Sequence, residues 1–239
     1  MSKTQRGFSL IGLLIGLVIA AVILAGITQA FYTYENAQNQ VTTGSSALTE
    51  LEQKIAGFIE KQVSLTGYRE PAADGSLASL ISTFPSGYVS GTDNTGPNNS
   101  DTLTFSFQCV GDGSSIDCAG NPVAAYAISN NTLAIDSNHN LICNAVAIAS
   151  GVTNFQVLYG EDTDGDGYAD RFAANTVANN VNMNHVVALR LGFLLQGGFA
   201  TLNQSALQNF SLLGTPIQTN HNRLYQTYVS TISLRNVNE

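Results

Sequence analysis

The sequence has few positive charges and few charged residues of any kind. Lysine and arginine contribute 9 residues, whereas aspartate and glutamate contribute 17, so the formal net charge of the 239-residue chain is −8. A surface that binds nucleic acid needs clustered lysine and arginine to neutralise phosphates. The charge balance therefore argues against nucleic acid as a partner.

The motifs of common enzyme classes are also missing. The chain has three histidines, which are far apart in the sequence: His139, His185 and His221. It contains no HExxH pair, no CxxC pair, no G-x-S-x-G elbow and no phosphate-binding loop. We therefore predict a protein that is not an enzyme and whose lone histidines are solvated in loops.

A long uncharged run follows a short basic leader. From Gly7 to Tyr34 the chain carries no charged residue. About 20 apolar residues can span a bilayer, whereas a cleaved secretory signal has an apolar region of only about 7–15 residues. Lys3 and Arg6 precede the run, which predicts a cytoplasmic N-terminus. The run is therefore typical of a permanent membrane anchor.

An amphipathic pattern continues the run. Apolar residues recur at spacings of three and four, which marks one helix face: Leu48, Leu51, Ile55, Phe58, Ile59 and Val63. Gly67 follows as a C-cap. The pattern predicts one long helix, with a transmembrane segment over residues 8–30 and an amphipathic continuation over residues 31–66.

The remainder, residues 67–239, is predicted to form a β-rich head. Residues 70–100 are rich in Gly, Ser, Pro and Asn and are interpreted as a loop. "TLTFSFQC" then alternates, so Cys109 at its end is expected to be a small buried hydrophobe. Short strands are also predicted over residues 123–129, 132–136, 140–148, 152–159, 186–195 and 224–234. We predict an α+β fold in which a mostly antiparallel sheet covers the apolar stripe of the helix.

"EDTDGDGYAD" resembles a calcium-binding loop. Its carboxylates occupy positions 1, 3, 5 and 9 of the pattern: Asp162, Asp164, Asp166 and Asp170. Gly167 takes the turn position, and the Tyr168 carbonyl would be the seventh-position ligand. The bidentate glutamate at position 12 is replaced by Ala173. Calcium is therefore the candidate cofactor, and the alternative is a hairpin turn whose Asp side chains bond local backbone amides.

The leader "RGFSLIGLLIG" resembles the class III leaders of type IV pilins and of type II secretion pseudopilins. The resemblance implies that prepilin peptidase cuts after Gly7, which makes residues 1–7 a leader peptide, and that Phe8 is then methylated. It also implies a long helix, half in the membrane and half packed on the head.

Gly12 departs from the pattern of that family. Its members have glutamate at the fifth mature position, where it is thought to neutralise the N-terminal amine of a neighbouring subunit in the filament. A subunit with Gly12 cannot offer this partner. One interpretation is a subunit at the filament tip, which has nothing above it to pair with. The other is drift in a low-copy subunit.

Stretches of the head resemble the PilW family of minor pilins, above all "GVTNFQVLYGEDTDGDGYADR". Paired cysteines of that family fall at Cys118 and Cys143, which implies a disulfide. A local bridge between Cys109 and Cys118 stays open as the alternative. The J-type pseudopilins of type II secretion are the nearest other relatives.

The resemblance implies a structural function as a minor pilin that primes pilus assembly at or near the filament tip. The implied partners are other minor pilins and the major pilin through the N-terminal helix, a tip adhesin, and prepilin peptidase. The implied location is the inner membrane, with the head in the periplasm, and then the pilus tip. Two other hypotheses are a J-type pseudopilin and an anchored periplasmic binding module.

Overall fold

The computed structural model describes residues 10–70, 84, 87–200 and 205–237. These residues form one long helix and a head whose strands make two antiparallel sheets and a separate hairpin. This is the α+β arrangement that the sequence predicts.

Helix α1 spans Leu10–Gln62, 53 residues, which is about 80 Å at a rise of 1.5 Å per residue. A single 3₁₀ turn, Val63–Leu65, follows it. The helical extent predicted from the sequence is therefore confirmed over the described residues, although the last turn is tighter than an α-helix. The chain reverses at Gly67, which has a φ of 79° and donates its N–H to the Ser106 carbonyl.

Only the C-terminal part of α1 packs on the head. All described side chains from Leu10 to Thr43 are exposed. Four apolar side chains of the predicted stripe are at most 4% exposed and face strands of the head: Leu48, Ile55, Ile59 and Val63. Leu51 and Phe58 pack at the margin of the same core. The spacing of apolar residues thus correctly identifies the packed face, and burial begins later in the helix than residue 31.

The first sheet contains five strands in the order β1-β2-β3-β4-β5. Their bounds are β1 Val89–Thr92, β2 Thr102–Gln108, β3 Ile128–Ile135, β4 Asn140–Cys143 and β5 Val146–Ser150. Strand β2 follows the alternation of its sequence, and Leu103, Phe105 and Phe107 are at most 3% exposed.

The second sheet contains four strands in the order β11-β8-β6-β7, and a hairpin of β9 and β10 lies outside both sheets. The bounds are β6 Val152–Glu161, β7 Arg171–Ala173, β8 Val186–Ala200, β9 Ala206–Leu212, β10 Thr215–His221 and β11 Arg223–Ser233. The hairpin packs on the side of β8 that carries Leu194, through Leu212 and Ile217. Gly192 permits this approach, because a Cβ there would lie 3.1 Å from Leu212.

Some predicted strands are wrong in extent. Residues 123–127 precede β3 in turns, and only residues 128 and 129 of that predicted strand belong to β3. Residues 140–148 form two strands, because Asn144 and Ala145 have positive φ and make a two-residue hairpin turn. Strand β1 lies inside the segment interpreted as a loop. The hairpin of β9 and β10 was not predicted.

A polar loop holds the two sheets together. One edge of strand β6 pairs with β8 along its length, whereas the other edge pairs with β7 only at its end. The loop before β2 covers the rest of that second edge. The Asp101 N–H donates to the Phe155 carbonyl, and the Asp101 carboxylate accepts the Val157 N–H at 2.7 Å. Burial raises the pKa of Asp101 to about 6.

Candidate functional site

The first seven turns of α1 are exposed, uncharged and mostly apolar. No charged residue occurs between Leu10 and Tyr34, and the large apolar side chains of this stretch are all more than half exposed. Within the described chain, α1 is the one helix that is long and apolar enough to cross a membrane. Exposing an apolar surface of this kind to water would cost free energy. The surface therefore requires a covering of lipid or of other helices.

Gly12 lies in this exposed stretch. Apart from its chain neighbours and the adjacent backbone of its own helix, no described atom lies within 4 Å of the position that a Cβ would take there. A glutamate side chain would therefore fit at residue 12 without a clash inside the subunit. The predicted cleavage and methylation residues, Gly7 and Phe8, lie outside the described residues.

The acidic segment forms the turn between β6 and β7. Its base is fixed by Glu161, which is buried. Glu161 accepts a hydrogen bond from the Arg171 Nε at 2.8 Å and one from the Asn182 N–H at 3.1 Å. The segment is flanked by strands and not by helices.

Three carboxylates of the turn come together. One oxygen from each of Asp162, Asp164 and Asp166 lies within 4.8 Å of the other two. Asp162 also orders the backbone of the turn, because its two oxygens accept the N–H groups of Gly165 at 2.6 Å and Gly167 at 2.8 Å. The bond from Gly167 is the main cause of a lowered pKa of Asp162.

The other two predicted ligands are placed differently. The Asp170 carboxylate is not part of this three-oxygen group and instead accepts the N–H and hydroxyl of Thr163, both at 2.7 Å. The Thr163 hydroxyl lowers the pKa of Asp170. Tyr168 is exposed and donates its N–H to Asp166 at 2.8 Å.

This geometry is compatible with both interpretations of the segment. The Asp–amide bonds are those of a turn stabilised by its own side chains. The three converging oxygens match the spacing of ligands around a calcium ion, whose oxygen ligands lie 2.3–2.6 Å from the metal. Of the four predicted carboxylates, those of Asp162, Asp164 and Asp166 therefore lie close enough together to share one cation, and that of Asp170 is not part of the group.

Cys118 and Cys143 form a disulfide, with their Cα atoms 5.9 Å apart. Cys118 lies in the loop between β2 and β3, and Cys143 ends β4, so the bridge ties that loop to the first sheet. Cys109 is a free, buried thiol, and burial raises its pKa. The alternative bridge between Cys109 and Cys118 is absent from the structure.

The aromatic residues of β11 serve in packing. Tyr228 stacks on Phe193 with ring centroids 6.1 Å apart, and Tyr225 packs on Phe210 at 5.6 Å. His139 and His221 line the same cavity beside α1. The sequence does not predict this proximity, because 82 positions separate the two residues.

Two family models match the chain. Residues 2–28 match the prokaryotic N-terminal methylation motif, and residues 122–236 match the type IV pilus-assembly protein W family. Among solved structures, a type IV-like pilin from Thermus thermophilus is similar, with 14% sequence identity and a TM-score of 0.47. That match covers 77% of this chain and 95% of the Thermus chain. No curated protein sequence matches the chain.

Proposed function

We propose that this chain is a minor pilin of the PilW family, which its residues 122–236 match, and that it primes pilus assembly at or near the filament tip. The observation that carries the proposal is the division of α1 into two parts. Its N-terminal part is apolar and exposed, while its C-terminal part is buried against the head. One helix can therefore anchor in a bilayer first and pack among other pilin helices later.

The helix would mediate assembly and the head would select partners. In the membrane, lipid covers the apolar part of α1. In a filament, helices of the major pilin and of other minor pilins replace the lipid, with little net change in apolar exposure. The head is then free to contact neighbouring minor pilins or a tip adhesin.

Gly12 supports a place at the tip. A subunit that joins beneath another needs an acid near its N-terminus to pair with the amine above it, whereas the first subunit has no such neighbour. An unpaired carboxylate at this depth of the membrane costs a few kcal/mol. Gly12 avoids that cost in a subunit that starts assembly.

A deletion strain distinguishes this function from that of a J-type pseudopilin. We expect the deletion to reduce the number of surface pili and to leave the secretion of extracellular enzymes unchanged. Loss of secretion with normal piliation would instead support a pseudopilin. Loss of neither would favour an anchored periplasmic binding module.

We expect cleavage between Gly7 and Phe8, which would leave a mature chain that begins with N-methylated Phe8. The leader pattern and the matched methylation motif support this expectation. Intact-mass measurement of the membrane-extracted protein checks it, with a strain lacking prepilin peptidase as the control. A mature chain that begins near Ala30 would instead indicate an ordinary secretory signal.

The acidic turn is proposed to bind calcium and thereby to order the tip of the β6–β7 hairpin. A ligand that binds only the folded state raises stability by mass action. We therefore expect millimolar calcium to raise the melting temperature of the head by several degrees relative to chelator.

The Asp164→Asn/Asp166→Asn double variant tests this calcium site. Both residues are exposed, whereas Asp162 is needed for the turn itself. The double variant should fold but lose the calcium response. Asp112→Asn, an exposed carboxylate in another loop, is the matched control and should keep it. Equal melting temperatures of the wild type with calcium and with chelator would leave only the turn interpretation.

A further inference from the structure

A cavity of about 570 Å³ lies beside α1 where the helix meets the head. Ala47 and Leu51 of α1 form its apolar wall. The other walls come from segments that are distant in sequence: the β3–β4 turn, the end of β5, strand β8 and the start of β11. Their polar lining side chains are Asn138, His139, Ser150, Gln196, His221 and Arg223.

The lining of this cavity is cationic in an acidic protein. It contains an arginine and two of the three histidines of the chain, and no aspartate or glutamate. Asp136 lies near His139 in the β3–β4 turn, but its carboxylate accepts hydrogen bonds from Asn138 and Asn140 at 2.8–2.9 Å. Asp136 also interacts electrostatically with His139, whereas no carboxylate lies among the lining residues themselves.

A second, smaller cavity of about 120 Å³ adjoins the first and shares His139 and His221 with it. It lies beneath β10, and Thr219 and Tyr225 also line it. The hydroxyl oxygens of these two residues are buried and interact with each other. A bond between two hydroxyls uses only one of the two O–H groups as a donor, so the other can donate to a polar ligand or to water in the cavity.

We propose that the paired cavity binds a small oxyanion, such as a phosphate or a carboxylate group. Protonated imidazoles and a guanidinium form charge-assisted hydrogen bonds to such groups. Arg223 is held in position because its Nη1 bonds the carbonyls of Gly197 and Gly198, both at 3.4 Å. The remaining O–H group of the Thr219–Tyr225 pair supplies a neutral donor at the inner end.

Binding is expected to strengthen on mild acidification. Histidine gains a positive charge as the pH falls toward 6. Arg223 is the other charged residue of the lining, and Asp136, Glu50 and Glu52 are charged residues close in sequence to the lining residues Asn138 and Leu51. Arginine and carboxylate side chains in general do not titrate between pH 6 and pH 8, whereas histidine does. The two histidines are therefore the groups that confer the pH dependence.

Sulfate and acetate are suitable probes, because neither changes its charge between pH 6 and pH 8. The full chain in detergent micelles is titrated with each anion at constant ionic strength, and the imidazole resonances of the three histidines are followed by NMR. Sulfate represents phosphate-like ligands, and acetate represents carboxylates. His185, which lies beside the acidic turn, is the internal reference.

We expect saturable shifts of the His139 and His221 resonances at pH 6 with at least one anion, about tenfold weaker binding at pH 8, and no shift of His185. A preference for sulfate would identify a phosphate-type ligand, and a preference for acetate would identify a carboxylate. Absence of a shift with both anions, or equal shifts at all three histidines, would overturn the proposal.

The variants His139→Asn and His221→Asn should each weaken binding at least tenfold, whereas His185→Asn should not. Asparagine suits residue 139 because His139 has a φ of 60°, a conformation that asparagine tolerates. Melting temperatures verify that each variant is folded. Unchanged anion affinity in both folded cavity variants would contradict the assignment.

Discussion

Replacing Ile55 with alanine is expected to lower the free energy of unfolding of the head by about 2–5 kcal/mol. Ile55 is 0% exposed and sits in the centre of the stripe by which α1 packs on the head. Truncation removes buried methyl groups and leaves a cavity that rigid neighbours cannot fully close. Part of the head core would thus be lost through a single change in the helix.

Ile27→Ala is the matched control for this prediction. It makes the same chemical change in the same helix, but Ile27 is 60% exposed and does not touch the head. Thermal unfolding of the full chain in detergent micelles should show a large fall in melting temperature for Ile55→Ala and almost none for Ile27→Ala. Equal effects would mean that α1 does not contribute to the head core.

Removal of the Cys118–Cys143 disulfide is expected to cost roughly 3–3.5 kcal/mol, the chain-entropy value for a loop of about 25 residues. The loop contains β3, the central strand of the first sheet. The bridge therefore restricts the unfolded chain around a strand that must pair on both sides. Without it, the loop between β2 and β3 would be held by hydrogen bonds and by the packing of residues such as Val123.

The double variant Cys118→Ala/Cys143→Ala tests this cost, and Cys109→Ala is the control. Reductant should lower the melting temperature of the wild type and of Cys109→Ala, but not that of the double variant. Peptide mapping without reductant should recover Cys118 joined to Cys143. A peptide that joins Cys109 to either cysteine would contradict the assignment.

The helix could be predicted well because its signals are local. The uncharged run and the three- and four-residue spacing from Leu48 to Val63 both follow from the period of an α-helix. Strand β2 was equally accessible, since its alternation places Leu103, Phe105 and Phe107 on one face. Both elements have a buried side and a contrasting side, and this contrast is visible in the sequence.

Other parts of the head depend on contacts that the sequence does not display. The β9–β10 hairpin is mostly polar and packs through only a few residues, such as Leu212 and Ile217, on the outer side of β8. The turn of this hairpin lies at Leu213 and Gly214, which both have positive φ. In the sequence, the glycine is the signal that indicates such a turn. Strand β1 is four residues long and is defined by its pairing with β2.

The contacts within the acidic turn also could not be predicted from the sequence. Spacing alone groups Asp170 with the other aspartates, whereas the folded turn uses its carboxylate on Thr163. Conversely, His139 and His221 look isolated in the sequence but meet in one cavity, because the β3–β4 turn and the end of β10 both reach the side of the head where α1 leaves it.

The position of the protein in native filaments tests the account most directly. An epitope tag is placed on the head and detected by immunogold labelling of sheared pili, where it should mark filament ends only. The Gly12→Glu variant is compared with the wild type for pilus number and for label position. Label confined to the ends of wild-type pili is the predicted result. Label spread along the shaft of wild-type pili would contradict a subunit that starts assembly at the tip.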